Sequence, residues 1–98
     1  MNKFPACVNE KIQQLRENGG AAICHEEEFS FLILALGRRR TGGYSIQIED
    51  INYCDDKLLV YAREIKPGPS DIVTQAITYP VKVKKLPYSP LPLVVIWK

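Results

Sequence analysis

Phe29-Ser30-Phe31-Leu32-Ile33-Leu34-Ala35-Leu36-Gly37-Arg38-Arg39-Arg40-Thr41-Gly42-Gly43-Tyr44-Ser45-Ile46-Gln47-Ile48-Glu49 reads as two strands and the break between them. Residues 29–36 are apolar on both faces, the pattern of a central strand covered on each side. Tyr44, Ile46 and Ile48 alternate with Ser45, Gln47 and Glu49, the pattern of a half-buried strand. The phase slips at Asp50, because Ile51 and Tyr53 are the next apolar pair, and a β-bulge accounts for the slip. Between the two runs, Gly42-Gly43 permits positive φ and a close backbone approach.

Outward from this stretch the β pattern continues in both directions. Asp55-Asp56 forms a tight turn into a strand at Leu58-Leu59-Val60-Tyr61-Ala62. Val81 and Val83 alternate with Lys82 and Lys84, and Leu93 to Trp97 forms the last strand. Pro87, Pro90 and Pro92 belong to the connection between those two and protect a sheet edge. On the N-terminal side, Ala21 to Cys24 reads as a short strand and His25-Glu26-Glu27-Glu28 as a polar turn. Before them Val8, Ile12 and Leu15 make an apolar stripe, which predicts a helix over about residues 8–18. Asn9 is its candidate N-cap, and Asn18-Gly19-Gly20 its stop. The fold class is therefore mainly β: an antiparallel β-sandwich or open barrel of about six strands, loosely immunoglobulin-like, with one short N-terminal helix.

The chain has 98 residues, one domain over 1–98, and its 46% hydrophobic content supports a packed core. A net charge of +2 does not demand a polyanionic partner. The three cysteines, Cys7, Cys24 and Cys54, have no metal-type spacing. They read as reduced packing residues, with a Cys24–Cys54 bridge as the alternative for an exported protein. Met1 to Cys7 lacks an apolar signal-peptide segment, and the apolar run Phe31 to Leu36 is too short to span a bilayer. As written, the sequence is expected to be cytosolic; for a portion trimmed from a longer precursor, the expectation is extracytoplasmic.

Alternation of strand direction places the unusual segments. If the strand at 29–36 runs up, its exit loop 37–43 lies at the top and the turn 55–56 at the bottom. The long loop 66–79, carrying Pro67-Gly68-Pro69-Ser70-Asp71 and Thr74-Gln75-Ala76-Ile77-Thr78-Tyr79-Pro80, returns to the top. Both segments then share one end, where Thr74, Gln75 and Thr78 are placed to brace Gly42-Gly43. Loops of that length are uncommon in compact domains and are usually functional.

Leu36-Gly37-Arg38, Thr41-Gly42-Gly43-Tyr44, Pro67-Gly68-Pro69 and Thr74 to Pro80 together resemble the PrcB C-terminal domain, over about residues 29–86. That family is named for a subunit that binds and stabilises a secreted subtilisin-like protease complex. The resemblance implies an extracytoplasmic interaction module without catalysis of its own. Thr41-Gly42-Gly43-Tyr44 is also similar to the Thr-Thr-Gly-Tyr loop of chagasin-type cysteine-protease inhibitors, immunoglobulin-like sandwiches with three loops at one end. Their Gly-rich middle loop is here Pro67-Gly68-Pro69-Ser70, and their Arg-Pro-Trp loop has no clear counterpart.

Chemistry-bearing constellations are sparse. Cys24 and the sole histidine, His25, face opposite sides of a strand and do not form a nucleophile–base pair. Asp55-Asp56 has no partner base, no zinc spacing is present, and the Gly-Gly loop lacks a Walker lysine. The reading is a non-catalytic protein-binding module without a cofactor, its partner a protein and possible protease. Its contact surface comprises Arg38, Arg39, Arg40, Thr41, Gly42, Gly43 and Tyr44 with Pro67, Gly68, Pro69, Thr74 and Gln75. The alternatives are a chagasin-like inhibitor, nucleic-acid binding through Arg38–Arg40 with Lys82, Lys84 and Lys85, and self-assembly through an edge strand.

Overall fold

The computed structural model describes residues 4–98. Part of the signal-peptide reading, Met1 to Lys3, lies outside the described residues. One helix, α1 (Ala6–Leu15), precedes six strands: β1 (Gly20–His25), β2 (Phe29–Ala35), β3 (Ser45–Tyr53), β4 (Leu58–Ile65), β5 (Val81–Pro87) and β6 (Leu93–Trp97). They form two three-stranded sheets, ordered β1-β2-β5 and β3-β4-β6. The expected mainly β architecture with one short helix is present, and the described residues form two separate sheets with no closed barrel.

The chain builds this sandwich by crossing between sheets rather than by pairing each strand with the next. β2 to β3, β4 to β5 and β5 to β6 are all crossings. That corrects the expectation that sequential strands lie side by side throughout. It also corrects the all-antiparallel expectation: β4 and β6 pair in parallel, in register from Leu58↔Leu93 to Ala62↔Trp97. The intervening β5 lies in the opposite sheet, so the chain reverses twice before it returns beside β4.

β2 is the central strand its sequence predicts. Leu32 and Leu34 face the second sheet and pack with Ile46, Leu58, Val60, Ala62 and Leu86. Phe31 and Ile33 face the other way, against Val8 and Cys24 beneath the helix. α1 has ten residues, marginal in isolation, so its order depends on burying this stripe. Its start differs from expectation. The helix begins at Ala6, and the Pro5 carbonyl accepts the Val8 and Asn9 N–H groups, so Asn9 lies inside it. Proline fixes φ ahead of the first turn without a side-chain cap. The helix also ends earlier than the expected residue 18, at Leu15 with Arg16 as its C-cap; the expected glycine stop follows one turn on, where Gly19, at φ +77°, returns its N–H to the Leu15 carbonyl.

The β3–β4 register shifts between Ile48 and Asp50, the expected bulge, which turns Ile48 and Ile51 toward the same core. Tyr53 does not follow them inward and is exposed at the strand end. On β5, Lys82 and Lys84 lie opposite Leu34 and Leu32, on the face toward the second sheet, yet both are exposed. Charge at inward positions of an edge strand opposes pairing with another chain.

Cys7 and Cys24 are joined in a disulfide with Cα atoms 6.2 Å apart, and Cys54 is free. Both cysteine expectations are thereby corrected. Cys54 lies in the β3–β4 turn, while Cys24 points beneath α1, where Cys7 is its neighbour. Among the described residues no helix is long and apolar enough to cross a membrane.

Candidate functional site

The two crossings β2–β3 and β4–β5 leave from the same end of the sandwich. The register fixes this, since Ala35 lies opposite Val81 and Ser45 opposite Ile65. The shared end inferred from strand alternation is therefore observed. It survives the change of sheet because reversal of direction does not depend on which sheet a strand joins.

The loops are tied mainly by backbone. Arg39 and Thr78 exchange two N–H···O=C bonds of 2.9 Å each, an isolated antiparallel bridge. The Gly42 N–H donates to the Thr74 carbonyl at 2.9 Å, and the Thr78 hydroxyl donates to the Thr41 carbonyl at 2.7 Å. At Gly43, φ is +89°, and an added Cβ would stand 2.8 Å from Val73 Cγ1 and 2.9 Å from Pro67 Cβ. Only glycine combines that backbone with that closeness. The expected mutual bracing of the segments is present, with a different division of labour. Thr78 contributes its hydroxyl and Thr74 only its carbonyl, while the Gln75 side chain is exposed.

Further ties flank the pair. The Gly68 N–H donates to the Asp71 carboxylate at 2.6 Å and the Asp71 N–H to the Gly68 carbonyl at 3.1 Å, closing the Pro67–Asp71 turn on itself. The α1–β1 connection joins the same end. The Arg38 N–H donates to the Glu17 carbonyl, and the Arg16 guanidinium lies 4.1 Å from the Tyr79 ring centroid. Gly37, at φ +83°, allows this contact, because a Cβ there would meet the Asn18 carbonyl carbon at 2.9 Å.

The three arginines separate into two roles. Arg39 Nε pairs with Glu64 at 3.0 Å, another of its nitrogens donates to the Arg38 carbonyl, and its guanidinium lies 5.6 Å from the Tyr44 ring centroid. Arg38 and Arg40 are exposed, make no ion pair among the described residues, and line a hollow of about 340 Å³ with Ile77. Two exposed apolar residues of the long loop were absent from the sequence-derived surface, and of these only Ile77 lines the hollow. Ile72 is as exposed as in an isolated chain (102%), and Ile77 is 46% exposed. The sequence signal for Ile72 was an isoleucine directly after a Pro-Gly-Pro-Ser-Asp turn.

The basic strip proposed for nucleic acid is not continuous. Lys82 follows the loop end, but Lys85 lies toward the opposite end, its ammonium 3.8 Å from the Phe29 ring centroid. Lys84 lies between them on the strand.

At the opposite end, His25 is not simply part of a solvated turn. Its Nδ1 shares a 2.9 Å hydrogen bond with Ser30 Oγ, and its ring packs against Tyr88 at 5.3 Å. A serine–histidine pair is nucleophile–base geometry, but Ser30 is 0% exposed and its oxygen accepts the Ser89 N–H at 3.0 Å. A substrate carbonyl has no approach to that oxygen, and the pair fastens the β5–β6 connection. Among the described residues no cluster of His, Cys, Asp and Glu side chains is arranged to hold a metal.

The family model described as PrcB C-terminal matches residues 30–87, which contain β2 apart from its first residue, β3 to β5 and both loops. No curated protein and no solved structure matches the chain.

Proposed function

Starting from the fact that this chain belongs to the PrcB C-terminal family, we propose that it is a non-catalytic protein-interaction module whose contact surface is the joined pair of loops 37–44 and 66–80. The observation that carries this reading is the bonding between the loops. Backbone groups do most of the fastening, so Arg38, Arg40, Ile72 and Ile77 are presented on a shaped surface without being used to build it. A surface already ordered loses little freedom on association. The family name suggests association with a protease complex, and the partner is proposed to be a subtilisin-like protease or a protein assembled with one.

A mixing experiment tests the reading. A subtilisin-like protease incubated with the domain should keep its peptide-hydrolysing rate and lose activity more slowly on heating. A folded Ile72→Ser/Arg40→Gln variant should lose that protection. Equal protection by the variant would remove the loops from the interface.

A second reading, a chagasin-type inhibitor, draws on the three segments that meet at one end: 16–19, 37–44 and 66–80. Stoichiometric loss of activity when a papain-type protease replaces the subtilisin-like one in that assay would establish it in place of the stabilising role.

A further inference from the structure

The balance of charge at the loop end points to the chemistry of the partner. The carboxylates of the two loops and of the strand end beside them are engaged, and the exposed Glu17 of the adjoining α1–β1 connection is not part of the hollow's lining. Asp71 accepts the Gly68 N–H, and Glu64 accepts Arg39. Arg38 and Arg40 have no such partner among the described residues, and no carboxylate lines the hollow between them. Ile77 forms the third wall of that hollow, so one site offers two guanidinium groups beside an apolar surface. Ile72 lies on the same long loop, after a turn whose shape Asp71 fixes.

We infer that this hollow receives an acidic side chain from an extended segment of a partner protein, with an adjoining apolar residue of that segment against Ile77. Arginine suits the role because its planar fork binds a carboxylate through two parallel N–H···O bonds. The hollow, about 340 Å³, has room for a carboxylate side chain and an apolar neighbour. Ile72, fully exposed on the same loop, is a second apolar side chain available to such a partner. Nucleic acid is the less suitable polyanion. A phosphate backbone presents charge at regular intervals, whereas the hollow offers two arginines beside isoleucine, without an aromatic stacking platform.

This inference rests on the two-loop surface being the binding face, and one titration series tests both separately. Short peptides of the pattern Asp-Leu-Asp, Asn-Leu-Asn and Lys-Leu-Lys, and an oligothymidylate, are titrated into the isotopically labelled domain at millimolar concentration. Amide shifts are followed by NMR. The acidic peptide is expected to shift amides at 37–44 and 66–80. It should bind about tenfold more tightly than its amide counterpart, and weaken as salt is raised. Arg38→Gln/Arg40→Gln should abolish the preference for acid while leaving the spectrum of the free domain folded. Ile77→Ser should weaken the acidic and amide peptides alike. Equal affinity for the acidic and amide peptides, or tighter binding of the oligothymidylate, overturns the acidic-partner inference; shifts still confined to the loops would leave the interaction surface standing. Shifts confined to other parts of the domain, or none with any probe, overturn both.

Discussion

The two ends of the sandwich balance backbone and side-chain fasteners differently. At the end holding the β1–β2 turn and the β5–β6 connection, the Tyr88 N–H donates to the Glu28 carbonyl at 3.1 Å, and buried side chains add to that backbone tie. Ser30 Oγ binds the Ser89 N–H and His25, and the Cys7–Cys24 disulfide pins the start of α1 to β1. At the loop end, order comes mainly from backbone: the Arg39–Thr78 bridge, the Gly42–Thr74 bond and the packing of Gly43 on Pro67 and Val73. A side chain used as a fastener is lost to recognition. Backbone fasteners leave side chains free, and this is why the loop end exposes Arg38, Arg40, Ile72 and Ile77 while Ser30 is buried.

The largest expected effect breaks the loop end. Gly43→Val adds positive-φ strain and overpacks Pro67 and Val73, so it should lower stability by about 4 kcal/mol. Chemical denaturation measures the loss, and faster amide exchange at Arg39, Gly42 and Thr78 locates it. An unchanged midpoint would mean the loops do not depend on this contact. Next is the covalent tie at the other end. Reducing Cys7–Cys24, a sequence separation of 17 residues, should cost about 3 kcal/mol. Loss of protection should concentrate in α1 and β1; if instead the Arg39–Thr78 amides open first, the two ends are not separately fastened.

Ser30→Ala leaves the buried Ser89 N–H without its acceptor and should cost about 2 kcal/mol. Peptide binding at the loops should be unaffected, and a matching loss of binding would contradict the division. The smallest effects separate the arginines. Arg39→Met breaks the partly buried pair with Glu64 and should cost about 1 kcal/mol. Arg38→Gln should change stability by about 0.5 kcal/mol or less, with its effect confined to binding. Equal destabilisation by the two substitutions would show that Arg38 is also a fastener.

The sandwich was legible where its pattern was local. The apolar run 31–34 on both faces marked β2 as central, and the slip at Asp50 marked the bulge. The helix start was misplaced because Asn9 has cap chemistry, while the backbone preset by Pro5 begins the first turn. In the candidate surface, mutual support between the loops was foreseeable from their shared end. The split among Arg38, Arg39 and Arg40 was not, because it turns on Glu64 at the end of a strand in the other sheet. Ile72 was passed over because an isolated apolar residue in a loop has no periodicity to show which way it faces.

The sequence by itself determined the order and direction of the strands, the buried faces of the central ones, and the placement of both loops at one end. These follow from side-chain alternation and from chain reversal, which involve near neighbours along the chain. Only the tertiary structure decided which sheet each strand joins, that β4 and β6 pair side by side, that Cys24 bonds Cys7 and not Cys54, and that Ser30 is a fastener. Each of those depends on distances between residues far apart in the chain, and such distances exist only once the two sheets and the helix have packed.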